Sequence, residues 1–297
     1  MKRELGLRRR ESLTGYLYIL PNFLGFLTFI WIPIIICLGL SFTDYNGFNN
    51  MAFTGLKNYF TLFQDDYFTI AFKNNMIFTM VSVPLTIVIA LAMAVLVNGL
   101  AKGSTLLKTI YFFPYVTSFV AISIIWTLMF HPTRGPVNSV LLALGVQSPP
   151  GWLISSQWAL YAVIIVMVWK VSGYYMVLLL NGLQSIPAQL YESARIDGAG
   201  KVRQFFSVTL PLLAPTLFFV LIMLIINSFQ TFDIVYIMTE GGPGRATNIL
   251  VYRIYVEAYD NYRFGYASAI SMILFFMTFA ITVVLFGAQR KRVTYLH

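Results

Sequence analysis

Long apolar runs alternate with short polar stretches along this chain. Six of the runs are long enough to cross a bilayer: Tyr16–Phe42, Met76–Asn98, Thr109–Phe130, Trp158–Leu180, Leu210–Phe232 and Tyr266–Ala288. A hydrocarbon core of roughly 30 Å needs about 20 apolar residues per helix. Within each run apolar residues follow one another without a two-residue alternation, so the pattern predicts helices rather than outer-membrane strands. Pro21, Pro33, Pro84 and Pro114 fall in or near the ends of these runs. Neighbouring groups in a membrane bundle can satisfy the carbonyls that such prolines free. The first run is too long for a signal-peptide core, and no small-residue cleavage pattern follows it, so it is read as a retained span. The expected fold class is an all-α integral membrane protein with six transmembrane helices. Its expected parts are an N-terminal segment 1–15, a first helix and loop 16–75, a core of five helices 76–288 enclosing the loop 181–209, and a tail 289–297.

Composition agrees with this pattern. Of 297 residues 58% are hydrophobic and only 10% are charged, with a mean hydropathy of +0.75. A soluble chain of this length carries far more charge on its surface. The distribution of basic residues sets the orientation. With the N-terminus inside, the inner segments hold Lys2, Arg3, Arg8, Arg9, Arg10, Lys102, Lys108, Arg195, Lys201, Arg203, Arg290, Lys291 and Arg292. The outer segments hold Lys57, Lys73, Arg134, Arg245, Arg253 and Arg263. Both termini are therefore expected in the cytoplasm. The net charge of +9 is an orientation signal beside anionic headgroups and calls for no nucleic-acid partner. Cys37 is the only cysteine, and His131 and His297 are isolated, which leaves no donor set for a metal or a disulfide within the chain.

One polar stretch differs from an ordinary connector. "YESARIDGAG", residues 191–200, lies in the loop between the fourth and fifth runs, which the basic residues place inside. Pro187 suits the first turn of a short helix. "AQLYESARI" contains good helix formers, and Asp197-Gly198-Ala199-Gly200 can terminate it. A second helical piece, 201–208, leads to Leu210-Pro211. The loop would form a compact knob facing something cytoplasmic; the plainer alternative is a solvated connector. "DGAGK" is not a phosphate-binding loop. Position 195 is Arg where the motif needs Gly, and position 202 is Val where it needs Ser or Thr. Any nucleotide energy must come from another chain.

These residues resemble the cytoplasmic signature of ATP-binding-cassette importer permeases: E-A-A, three residues, G, nine residues, I-x-L-P. Here it reads Glu192-Ser193-Ala194, Gly198 and Val208-Thr209-Leu210-Pro211, departing at Ser193 and Val208. "ILPNFLGF", "LSFTDYN", "FTGLKNYF", Asn74-Asn75 and "TEGGPGRATNILVYRIYVEAY" extend the likeness over most of the chain. They are similar to the carbohydrate-uptake branch, in particular its maltose-type or glycerol-phosphate-type first permease. The resemblance implies a type I importer permease fold in the bacterial cytoplasmic membrane. It also implies a second permease as heterodimer partner, two ABC ATPase subunits and an extracytoplasmic solute-binding protein. No cofactor would be bound by this chain, and ATP and Mg would sit on the partner ATPase. Glu192, Ser193, Ala194, Asp197, Gly198 and Ala199 would form the coupling element. Glu192 would pair with a basic residue of the ATPase, the small residues would permit close approach, and Gly198 would allow the turn.

Candidate substrate contacts are polar and aromatic residues inside spans, where polar groups are costly. Trp169, Lys170, Tyr174 and Tyr175 form one cluster; Asn227, Ser228, Gln230, Thr231 and Asp233 form another. Aromatic faces and amide or carboxylate groups suit sugar hydroxyls and rings. In the resembled family the sugar contacts correspond to about Tyr175, Ser228 and Thr231, the last two replacing asparagines. Packing and interhelical hydrogen bonding are the alternative roles. Lys170 must meet an acid or a water-filled cavity: it is expected either to pair with Asp233 or to attract an anionic sugar. Gly241-Gly242-Pro243-Gly244 is turn chemistry, which the resemblance puts at the binding-protein face. An ion-coupled secondary transporter is the alternative function, but it leaves the 191–200 signature unexplained. An intramembrane enzyme would require paired carboxylates, a zinc pattern or an activated serine, and the sequence has none.

Overall fold

A computed structural model describes residues 2–48, 51–100 and 103–293. Lys102 and His297 lie outside the described residues, as do the side chains of residues 2–13 and 290–293. The helices in chain order begin with α1 (Lys2–Phe26), α2 (Ile32–Leu40), α3 (Lys57–Gln64) and α4 (Asp66–Asn98). Next come α5 (Ser104–Val116), α6 (Phe119–Met129), α7 (Pro136–Ala143) and α8 (Ala159–Gln184). The chain continues with α9 (Ala188–Ile196), α10 (Lys201–Gln204), α11 (Leu210–Phe229) and α12 (Asp233–Met238). It ends in α13 (Leu250–Tyr255) and α14 (Phe264–Val293). π-turns at Leu27–Trp31 and Phe205–Thr209 join α1 to α2 and α10 to α11. No strand occurs among the described residues, only an isolated bridge between Thr43 and Phe53.

Five spans match the predicted runs: Thr14–Leu40, Asp66–Asn98, Ala159–Gln184, Lys201–Phe229 and Phe264–Gln289. The second starts well before Met76, because Asp65 caps it by accepting a hydrogen bond from Tyr67 N at 2.8 Å. The third run, expected as one helix from Thr109 to Phe130, is instead broken: α5 and α6 meet at 96°. Thr117 and Ser118 are extended at the break (ψ 153° and 136°), three and four residues after Pro114, and Thr117 Oγ1 donates to Pro114 O at 2.6 Å. Runs of apolar residues reveal length but not such a bend.

The chain divides into two compact units. The larger, residues 65–253 and 274–297, is built around the largely buried α8, which packs on α4, α5 and α11. Its core includes Phe78, Tyr175, Met176, Leu179 and Leu213. Lipid offers no hydrophobic contrast to drive such packing, so close fit and small residues must hold the helices together. Gly173 is one such residue: a Cβ there would fall 1.7 Å from Tyr111 O of α5. The smaller unit comprises residues 1–64 and 254–273. In it Asn58 Nδ2 donates to Ser41 O at 2.9 Å and Thr43 O at 2.7 Å, and Tyr59 OH bonds Ser41 Oγ. Gly265 N donates to Tyr45 O, and the buried Glu257 pairs with Arg263 at 3.4 Å. The Thr14–Leu40 span buries none of its apolar window within the chain.

Candidate functional site

A cavity of about 220 Å³ opens in the larger unit between α8, α11, α12 and the α5–α6 bend. Its polar lining comes from Asn227, Gln230, Thr231 and Asp233, at the point where α11 ends and α12 begins. Its aromatic lining comes from Tyr115, Phe119, Tyr175 and Phe232. The Tyr175 hydroxyl accepts a hydrogen bond from Asn227 Nδ2 at 2.9 Å, tying α8 to α11. Thr231 Oγ1 donates to Asn227 O at 3.2 Å, so the last turn of α11 is closed by its own side chain. Asn227, Gln230 and Asp233 are exposed and free to meet a polar ligand.

Five of the nine candidate pathway residues thus share one cavity. The other four sit elsewhere. Ser228 is buried and bonds Thr79 Oγ1 of α4 at 2.9 Å. Tyr174 stacks on Tyr115, with ring centroids 4.4 Å apart, and supports the wall from behind. Trp169 packs edge-on against Trp126. Lys170 does not pair with Asp233. Its ammonium donates to the carbonyls of Thr117 (2.6 Å), Pro114 (3.0 Å) and Tyr115 (3.4 Å) and lies 4.3 Å from the centre of the Phe119 ring. The broken helix supplies acceptors that a straight one would have used up. Sequence reasoning missed Tyr115 and Phe119 as lining residues; the signal was Pro114 followed by the polar pair Thr117-Ser118.

The 181–209 loop is ordered: α9 follows α8 after a short turn, and the second piece, expected to be separate from a span starting at Leu210, instead runs on into α11 as one span from Lys201. Pro187 stands one residue before α9 rather than inside it. Gly198, with φ +78°, ends α9: Ala199 N donates to Ala194 O at 2.8 Å and Gly198 N to Arg195 O at 2.9 Å. That pair of hydrogen bonds is the usual left-handed helix stop, a conformation that glycine adopts without steric cost. Gln204 Nε2 donates to Ala199 O at 2.7 Å, and Tyr191 OH meets Thr209 Oγ1 at 3.0 Å, so α9 is braced on the start of the next span. Glu192, Ser193, Asp197 and Gly198 are exposed, and Ala194 and Ala199 half-buried. Around them Ile196 and Val202 present bare apolar side chains, 86% and 73% exposed.

The glycine-rich loop is a third ordered element. Asn74 Nδ2 donates to Arg245 O and Asn248 O, and Asn75 Oδ1 accepts from Leu250 N. The guanidinium carbons of Arg245 and Arg253 lie 3.6 and 4.4 Å from the centre of the Tyr67 ring, and Arg253 reaches Asp65 at 3.5 Å. Thr247 Oγ1 donates to Gly242 O at 2.8 Å, just before the cis peptide Gly242-Pro243. The loop is held to the start of α4.

Spanning helices, an interior polar cavity and a braced exposed loop are the parts expected of a membrane transport subunit. The chain belongs to the family of binding-protein-dependent transport system inner membrane components, whose model matches residues 82–292. It is 36% identical over 290 residues to the trehalose/maltose transport system permease protein MalF of Thermococcus litoralis, covering 96% of this chain and 97% of that one. It is 34% identical over 285 residues to the sn-glycerol-3-phosphate transport system permease protein UgpA of Yersinia pestis, covering 94% and 95%. It shares its fold with a permease chain of a bacterial ABC transporter that imports the acidic polysaccharide alginate: TM-score 0.84, 24% identity, 97% of this chain and 99% of that one.

Proposed function

We propose that the chain is one half of the translocation pathway of an ATP-driven importer for sugars or oligosaccharides. The observation that carries this is the match, along almost the whole length, to a trehalose/maltose permease, joined to a cavity that offers both aromatic faces and amide or carboxylate groups. The cavity, about 220 Å³, is smaller than the roughly 300–1,000 Å³ of a complete ligand pocket. A second permease chain, as heterodimer partner, would supply the rest. Two ATPase subunits, carrying ATP and Mg, would grip α9 through Glu192, the small residues Ser193 and Ala194, and the turn at Asp197, Gly198 and Ala199. Ile196 and Val202 fit such a groove as apolar anchors. A rigid arm bonded to the next span through Tyr191 and Gln204 can pass the closure of an ATPase to α11 and so to the cavity. Both termini and the knob would lie in the cytoplasm. The 239–248 loop would face the solute-binding protein on the other side.

The test is uptake by proteoliposomes that contain the chain with its copurifying permease and ATPase. Labelled trehalose, maltose and sn-glycerol 3-phosphate are offered together with the solute-binding protein. Uptake should require ATP on the ATPase side and the binding protein on the other. Uptake driven by a proton or sodium gradient without ATP would support the ion-coupled alternative and overturn this reading.

A further inference from the structure

Lys170 is 1% exposed in the middle of α8, yet nothing in a transport cycle obviously needs its charge there. Its ammonium has three protons to donate, and each finds a carbonyl: Thr117, Pro114 and Tyr115. These carbonyls belong to the end of α5 and the bend that follows, where the last acceptors of a helix lose their intrahelical partners; Pro114 O also accepts from Thr117 Oγ1. The end of a helix also carries partial negative charge, which favours a cation. The Phe119 ring closes the remaining side at 4.3 Å. Among the described residues no carboxylate forms an ion pair with Lys170. With all its donors engaged on backbone, the ammonium has none left for a sugar, neutral or acidic.

The residues it grips are nonetheless part of the cavity. Tyr115 and Phe119 line it together with Tyr175 and Asn227. We propose that Lys170 is a positioning residue that locks the α5–α6 bend, so that Tyr115 and Phe119 stand as a fixed aromatic wall against which the transported sugar is sorted. The lock replaces the backbone bonds that the bend forfeits, and an ammonium with three donors can serve three carbonyls at once. This inference builds on the sugar-import reading but is tested separately from it.

Cys37 is the only thiol of this chain, so in a Cys37→Ser background label recovered on this chain, separated from its partners after the reaction, reports the introduced cysteine alone. In it, Tyr115→Cys is labelled in the assembled complex with a charged, water-soluble thiosulfonate, with Lys170 intact or changed to Met. The lock predicts that labelling speeds up by roughly tenfold in Lys170→Met as the wall loosens. An unchanged rate overturns it. In transport assays with Tyr115 native, Lys170→Met should raise KM for neutral and acidic substrates alike while ATP turnover at saturation holds. Loss confined to the acidic substrate would make the ammonium a substrate ligand and overturn the lock. If Lys170→Met does not assemble with the ATPase, Lys170→Gln, which keeps two amide protons and drops the charge, supplies the same two readings at smaller amplitude. The labelling rate needs no transported sugar. A changed rate in a complex whose uptake runs on an ion gradient without ATP would therefore leave the lock standing and sink only the ATP-driven sugar-import reading.

Discussion

At the scale of single residues, two side chains divide the functional argument between them. The Tyr175 hydroxyl joins Asn227 inside the cavity. Tyr175→Phe keeps the ring and removes the acceptor, so KM for the transported sugar should rise about fivefold, the equivalent of ~1 kcal/mol; uptake kinetics read this directly, and an unchanged KM would leave the pair structural only. Glu192 is exposed on α9. Glu192→Lys reverses the charge of an exposed side chain, so the protein should insert in the membrane normally but lose ATP-dependent uptake. Membrane fractionation and copurification with the ATPase would check both halves, and intact uptake with intact assembly would dissociate the knob from coupling. Residue types were readable from sequence: Tyr175, Asn227, Gln230, Thr231 and Asp233 stood out as polar or aromatic groups inside or bordering apolar runs. Which way each one faces was not readable. Ser228 lies beside Asn227 in the chain, but a helix turns about 100° per residue, and that turn sends it to Thr79 rather than into the cavity.

At the scale of elements, close packing and ordered loops can each be tested by one substitution. α8 approaches α5 so closely at Gly173 that even a methyl group would overlap Tyr111 O. Gly173→Ala should destabilise the purified protein by about 1–3 kcal/mol and lower its melting temperature in detergent. Gly287→Ala, inside α14 with nothing within 4 Å of its added carbon, should not lower that temperature and should raise it slightly, because alanine favours a helix by about 0.5–1 kcal/mol. The 239–253 segment depends on the Tyr67 ring beneath Arg245 and Arg253. Tyr67→Ala removes two contacts worth about 0.5–2 kcal/mol each. Proteolysis within the loop should accelerate, and stimulation of ATP hydrolysis by the solute-binding protein should fall while basal hydrolysis holds. Helix existence was legible because twenty apolar residues in a row admit few other states. The break at Thr117-Ser118 was not, because what stabilises it is Lys170, some fifty residues further along the chain, and no local pattern announces that contact.

At the scale of the whole molecule, the basic residues and the apolar runs specify a membrane protein whose sidedness can be measured. A fluorescent protein fused after Gln289 should be bright and an alkaline phosphatase fused there inactive. Fusions after Gly244 should show the reverse, and the opposite pattern would invert every assignment of face. The family likeness was legible in the 191–215 signature, because a docking element constrains both residue type and spacing. Partner number was not, since no contact of this chain with another is written in its own pattern. The bend in the third span also has a consequence for descent. A straight helix would consume the carbonyls that Lys170 serves, and a lysine with no acceptors would be intolerable at that depth. The kink and the cation should therefore be inherited as a single character, gained or lost together. A lineage that keeps one without the other would have had to invent a new way to quiet the orphaned group.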